Sequence, residues 1–553
     1  MVNIESTSNA IWWIKNPNGA KAGGTGQGRK ESLGSTFCQD IAELLRNISL
    51  QGYSKLLAAE FTLAERLIWL LVHTATLISM VAVLMLTWEH FVAQYFVINL
   101  KDPLYPVQNV PFPAVSICSN NRISLRAATA YALELQSSDP SPRELKYYLD
   151  NLTNLRKLYM LGDKETFNDD YANFQAFLDI FGTWNNETFF NTRRIMYMLS
   201  PTCSEFIIKC SLNNLKIPCL GENAFQKKLT KYGPCCIFNS NNWLKKRNFT
   251  YRLADSSFGL TVVLNSSKAD YLSPVLNTDG YIVIIHDADN FPAVTSSNSL
   301  EMFPGQGEES YLRIFARVID TDNSLYSFSP YGRRCYFHTE ANMPQIGSIY
   351  TFPNCITRCR IRSIIALCKC LPFQMPLELV ENLDGVVYCT LAHVACLSNY
   401  QFKWNNVLTQ RLRIPGLERE SEEALFCPQC LPSCNDVQYS VSLNELPIDT
   451  YLASLSPDEV DTSLGTELSV LRVFFGKPNA NYYMRLLNNE WFEIFSTVGN
   501  ILSIFMGFSL VAIFETLFFI CKHIYLGCHR ILERGRANSK EKKLDATKLK
   551  IYP

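Results

Sequence analysis

Gly507, Phe508, Ser509 and Glu515 lie inside an apolar run, Glu493 to Ile520, that is hydrophobic enough to cross a bilayer. Gly499, Asn500 and Ser503 lie in the same run. A plain lipid anchor needs none of these residues. Polar groups are costly in hydrocarbon and persist where helices pack closely or where a wet path passes. Backbone carbonyls and hydroxyls arranged in a ring can replace part of a small cation's hydration shell. Gly507 permits a backbone geometry that bulkier residues resist. The chemistry these types and spacings suggest is therefore cation coordination at Gly507-Phe508-Ser509, with Glu515 drawing cations to one mouth. Two other readings use the same residues. Gly499, Ser503 and Gly507 recur every four positions, which is also the spacing of a helix-packing face. Glu515 could instead snorkel, or pair with Lys522, near the interface.

The elements that would position these groups follow from the rest of the chain. Its 553 residues exceed one soluble core and suit a large domain plus membrane segments. Lysine plus arginine and aspartate plus glutamate both number 51, so charge argues against a nucleic-acid partner. A second apolar run, Leu67 to Thr87, has 21 residues, about 31 Å as a helix and one hydrocarbon thickness. The residues before it lack a signal peptide's pattern, so it reads as an uncleaved anchor. Arg46, Lys55 and Arg66 precede the first run, and Lys522, Arg530, Arg534 and Arg536 follow the second. Positive flanks stay cytoplasmic, which places both termini inside and the intervening residues outside. The expected organisation is a cytoplasmic region 1–66, a transmembrane helix 67–87, an extracellular domain 88–491, a second transmembrane helix 492–520 and a cytoplasmic tail 521–553.

Cysteine usage tests that topology. Of 19 cysteines, Cys38, Cys521 and Cys528 fall in the cytoplasmic parts. The other sixteen are Cys118, Cys203, Cys210, Cys219, Cys235, Cys236, Cys335, Cys355, Cys359, Cys368, Cys370, Cys389, Cys396, Cys427, Cys430 and Cys434. An even number in an oxidising space fits up to eight disulfides. Cys427-Pro-Gln-Cys430 would suit zinc in a cytosolic protein, but outside a cell with few histidines nearby it reads as disulfide chemistry. The dense run from Cys335 to Cys434 is expected to form a stiff, stapled stalk directly before the second span. Asn151, Asn186, Asn248 and Asn265 each open an Asn-x-Ser/Thr acceptor for glycosylation on the same side.

Residues 18–30 are a glycine-rich linker; Gly28-Arg29-Lys30 lacks the ending of a phosphate loop. Residues 37–60 read as a short helical element, and the basic run Lys540 to Lys550 as a solvated tail that can touch anionic lipid. In the large domain, Leu145, Leu149, Leu152 and Leu155 recur about once per turn and predict a helix over 143–158. Residues 259–265, 281–286, 311–319 and 437–443 are rich in β-branched and aromatic types and predict strands. The domain is thus expected to be a disulfide-rich α+β fold between two membrane helices. No nucleophile–base set or metal motif points to an enzyme.

Several short motifs together resemble the degenerin/epithelial sodium channel family, most closely its insect pickpocket branch. Phe112-Pro-Ala-Val-Ser-Ile-Cys118 is similar to the family's motif after the first span. Arg66-Leu-Ile-Trp69, Gly233-Pro-Cys-Cys-Ile-Phe-Asn239, Gly259-Leu260, Gly280-Tyr281 with His286 and Pro292, Cys368-x-Cys370-x-Pro372 and Cys430-Leu-Pro-Ser-Cys434 with Tyr439 follow in the family's order. Gly507-x-Ser509 with Glu515 resembles its selectivity filter and the glutamate below it. The resemblance covers about residues 37–520. It implies a homo- or heterotrimer of two-span subunits in the plasma membrane, a β-sheet palm outside, and a pore lined by the second spans. It implies no cofactor, only permeant Na⁺, with amiloride sensitivity and gating by a sensory stimulus: chemical, osmotic or mechanical.

Three positions depart from the family pattern. Gln51-Gly52 stands where relatives carry a gating His-Gly pair, and Gln51 cannot become cationic. Phe508 is large where sodium-selective relatives carry a small residue, and Asn500 replaces a common glycine. Ser496 aligns with the small-residue gating position. His286-Asp287-x-Asp289 offers titratable groups for proton sensing, yet coincides with a structural motif of the family. Alternatives to a conducting subunit are a two-span surface receptor that does not conduct, and an accessory subunit that conducts only in heterotrimers.

Overall fold

A computed structural model describes residues 61–93, 96–159, 169–183, 189–220, 224–246, 255–293, 299–340, 349–380, 385–410, 415–449, 468–488 and 490–522, with scattered positions to 533. The chain divides into two compact units, one of residues 1–93 with 489–553 and one of residues 94–488.

In the first unit, helix α1 (Leu63–Ala93) is long and apolar enough to cross a bilayer. It extends beyond the expected 67–87 at both ends. Upstream the cause is a reciprocal cap: Thr62 N–H donates to Glu65 Oε2 (2.8 Å) and Glu65 N–H to Thr62 Oγ1 (3.4 Å). The second apolar run is two helices rather than one, Trp491–Met506 and Leu510–Lys522, bent by 78° at the break.

The second unit is built on an eight-stranded sheet. Its strands are β1 (Phe96–Pro106), β2 (Ile207–Leu212), β3 (Leu215–Lys216), β4 (Leu260–Asn265), β5 (Glu308–Thr321), β6 (Asp436–Pro447), β7 (Leu468–Phe475) and β8 (Asn479–Leu487). The order is β1-β8-β5-β7-β4-β2-β3, with β6 antiparallel to β5. Along β5 Ser310, Leu312 and Ile314 are buried in alternation, the period expected of a half-covered strand. A five-stranded sheet with Ala114–Ser119 and Tyr281–His286 among its inner strands packs on this one. Both strands are buried throughout and mostly apolar, with Ser116, Ser119 and His286 as their buried polar residues. Leu260, Val262, Ile314 and Val473 meet Val115, Ile117, Val283 and Ile285 in one core. The expected helix over 143–158 is an α-helix, Leu145–Thr153, followed by a 3₁₀ segment, Asn154–Leu158; Leu152 and Leu155 are buried.

All sixteen cysteines of this unit pair, as eight disulfides. Five staple the 335–434 segment: Cys335–Cys434, Cys355–Cys430, Cys359–Cys427, Cys368–Cys396 and Cys370–Cys389. Cys355 and Cys359 are one turn apart on the helix Phe352–Cys368, so both reach the same facing segment. Cys427 and Cys430 therefore bond to that helix and do not form a metal knuckle. The stapled segment does not lie directly before the second apolar run. β6, β7 and β8 intervene, because the sheet takes its closing strands from residues 436–487.

The Cys359–Cys427 bridge closes a loop of 68 residues. Because the neighbouring Cys355–Cys430 bridge still holds these segments together, replacing Cys359 and Cys427 by alanine is expected to remove about 2–3 kcal/mol through loop entropy. Thermal unfolding of the purified protein should show a midpoint several degrees lower; an unchanged midpoint would show that the bridge restrains nothing.

Candidate ion pathway

The helix break is assembled from two ordinary terminal motifs placed back to back. Helix α2, the Trp491–Met506 segment, ends at Gly507, which takes φ 62° and ψ 29°. Its N–H donates to Ser503 O (2.9 Å), and Phe508 N–H returns to Leu502 O (3.4 Å). That is a glycine-capped helix end, in which a left-handed residue lets the last carbonyls find donors. Helix α3, the Leu510–Lys522 segment, starts one residue after Ser509, whose Oγ accepts from Ala512 N–H (3.2 Å). A serine that receives the third N–H downstream is an N-cap. Gly507 stops one helix and Ser509 starts the next, leaving Phe508 between them.

The two faces of α2 differ. Ile494, Val498, Ile501, Leu502 and Phe505 are half-buried and recur at helical spacing, and α2 packs against α1. Ser496, Gly499, Asn500 and Ser503 are exposed. At 100° per residue these four fall within a face of about 100°, opposite the half-buried one. A side chain added at Gly499 would meet nothing within 4 Å. The small, polar residues are thus not the seam between α1 and α2. Gly507 continues their line to the break, and Glu515 is half-buried on α3. The arrangement gathers backbone carbonyls and a serine hydroxyl at the point where the helix stops, groups of the kind that can coordinate a small cation.

Other sequence-derived positions fall elsewhere. Asn151 lies on the Leu145–Thr153 helix and Asn265 ends β4; both are half-buried. Gln51, Gly52, Asn186, Asn248 and Cys38 lie outside the described residues. Cys521 and Cys528 are free thiols, both exposed. Among the described residues, no cluster of His, Cys, Asp or Glu could hold a metal. The contribution of Leu502 and Ser503 carbonyls to the break was not read from the sequence. The available signal was a glycine followed two residues later by serine, a stop and a start in succession.

His286 is buried at the end of its strand. Its Nδ1 faces Asp287 O (2.8 Å) and its Nε2 faces Ser116 Oγ (2.8 Å). A carbonyl only accepts, so Nδ1 carries the proton and Nε2 accepts from the serine hydroxyl. Burial pushes the imidazole down from 6.5 to about 4. The folded pKa lies below the unfolded one, so the associated stability is complete above about pH 6.5 and is lost as pH falls toward 4. The unfolding midpoint should therefore drop between pH 6.5 and 4.5, and His286→Gln should flatten that slope. An equal slope in both proteins would show that His286 is not its source. His286 is neutral near physiological pH and serves the packing of its sheet, not proton sensing there.

Known proteins similar to this chain match most of its length. The amiloride-sensitive sodium channel family matches residues 44–519. Sodium channel protein Nach of Drosophila melanogaster is 23% identical over 472 residues, 82% of this chain and 81% of that protein. Pickpocket protein 28 of Drosophila melanogaster is 21% identical over 90% of this chain and 81% of its own length. The bile acid-sensitive ion channel of Mus musculus is 23% identical over 76% of this chain and 75% of its own length. With the eight disulfides, the β-rich core and the broken apolar helix, the match identifies the chain as a member of the amiloride-sensitive sodium channel family, a group of ion channels and not of enzymes.

Proposed function

We propose that the chain is a subunit of a gated, sodium-permeable cation channel of the plasma membrane. In this reading α1 and the bent α2–α3 pair are the two spans, both termini are cytoplasmic, and the disulfide-rich unit is extracellular and glycosylated. Three subunits surround the pathway, with Gly507, Phe508 and Ser509 as the selectivity filter and Glu515 at the inner mouth. Gln51, Gly52 and Ser496 belong to the gating machinery. The observation that carries the reading is the capped break at Gly507–Ser509, in line with the exposed small and polar face of α2. Such a face is costly toward lipid and finds its use against water. Sodium permeability is supported by the relatives named as sodium channels. A stimulus, chemical, osmotic or mechanical, would open the gate.

The size of Phe508 favours a second form of the same reading, an accessory subunit that conducts only beside related chains. Voltage clamp of cells expressing the chain alone, and then with related subunits, distinguishes the two. A current that reverses according to the external sodium concentration and is blocked by amiloride is expected in at least one of these settings. No current in either, across chemical, osmotic and mechanical stimuli, would leave a surface receptor.

A further inference from the structure

The eight-stranded sheet has a face turned away from the main core, and it carries a cavity. Register aligns Lys209 of β2 with Val263 of β4 and Val263 with Val470 of β7. One step along, Ser211, Thr261 and Arg472 form the next row. Alternation places both rows on the same face, since Cys210, Val262 and Leu471 between them point into the core.

A stapled return of the chain forms the other wall. Asn213 and Asn214 take φ of 53° and 59°, the two left-handed residues of a tight hairpin turn between β2 and β3. Asn213 N–H donates to Gly259 O (3.3 Å), and Ile217 N–H to Cys210 O (3.1 Å). The Cys210–Cys219 disulfide then ties the returning strand to β2. Between this return and the sheet is a cavity of 640 Å³. That size falls in the range of small-molecule sites.

We propose that this cavity binds an amphipathic organic anion, an apolar body of roughly ten to sixteen carbon atoms carrying one carboxylate or sulfonate. Ile208, Ile217, Leu220, Val263 and Val470 supply apolar wall. Among the described residues the charged members of the lining are Lys209, Lys216 and Arg472, all cationic. Arg472 is held in place: its Nε donates to Glu309 Oε1 (2.5 Å), and its guanidinium lies 5.9 Å from the centre of the Tyr311 ring. Glu309 offsets part of the Arg472 charge, so an organic cation would chiefly meet the like charge of Lys209 and Lys216. A small inorganic anion would leave the apolar wall in contact with water. An amphipathic anion meets both requirements. The site depends on neither the helix break nor conduction, so its failure would leave the channel reading intact.

The test uses the full chain in lipid nanodiscs, titrated calorimetrically against empty nanodiscs. The probes are 8-anilinonaphthalene-1-sulfonate and N-phenyl-1-naphthylamine, the same skeleton without the sulfonate. The expected result is saturable binding of the sulfonate, one per chain, at least tenfold tighter than the uncharged probe. Lys209→Glu with Lys216→Glu should weaken the sulfonate at least tenfold and change the uncharged probe less than threefold. Thr261→Trp should exclude both by filling the cavity. No saturable sulfonate site, equal affinity of the two probes, or sulfonate affinity that survives the charge reversal would overturn the proposal. The comparison of probes on the unaltered chain decides the matter even where a variant fails to fold.

Discussion

Gly507→Arg is expected to abolish cation current while leaving the protein at the cell surface. Two effects act at this position. Gly507 adopts φ 62°, a left-handed conformation that costs most L-residues about 1–2 kcal/mol. That penalty is too small to unfold a protein whose core lies in the disulfide-rich unit. The larger effect is electrostatic. One fixed positive charge about 5 Å from the ion, at an effective dielectric near 20, raises its energy by about 3 kcal/mol. In the proposed trimer, three copies in a ring would raise the barrier far beyond the 2.7 kcal/mol or so that corresponds to a hundredfold loss of rate. Surface labelling together with voltage clamp separates loss of conduction from loss of protein. Gly507→Asn supplies the control, because asparagine tolerates the left-handed conformation without adding charge; most of the current should survive it. Full current through the arginine variant would remove Gly507 from the pathway.

Ser496→Trp is expected to produce a standing current without stimulus, several times that of the unaltered channel at rest. Ser496 is exposed on the face of α2 opposite its half-buried one, with Gly499, Asn500 and Ser503. If these small residues let neighbouring α2 helices approach when the gate is shut, an indole at the first of them props the helices apart. Ser496→Ala keeps the surface small and should close normally. Resting current is the measurement, with amiloride block to confirm its route. A tryptophan variant that closes as tightly as the alanine variant would place Ser496 away from the closing surface.

The parts of this chain legible from sequence are those decided locally. The strands 259–265, 281–286, 311–319 and 437–443 appear within a residue or a few of their expected places, because alternation and β-branched residues act over short range. The Gly507-x-Ser509 pattern is visible for the same reason, since a glycine stop and a serine start need no distant partner, but the run 492–520 was expected as one helix and the break in it was not. Features that depend on distant partners were not legible. The pairing of Cys359 with Cys427 across 68 residues follows from which segment faces the helix Phe352–Cys368. The strands β7 and β8 earn their places by pairing with β4, β5 and β1, and without those partners the stapled segment looked adjacent to the second apolar run. The spacing of Gly499, Ser503 and Gly507 permitted either a packing seam or a wet surface. The position of α1 against the other side of α2 separates the two within one chain.

The ladder between β1 and β8 acts as a clasp. Phe96 lies opposite Leu487, and pairing continues through Val97 with Leu486 and Ile98 with Arg485. Phe96 follows α1 by three residues, and Leu487 precedes α2 by four. The adjoining ends of both apolar helices are therefore joined through only a few residues of chain to one hydrogen-bonded seam. Sliding the seam by a single residue would turn its side chains to the wrong face. Such a slip is disfavoured on the β8 side, where Ala480 and Arg485 are buried.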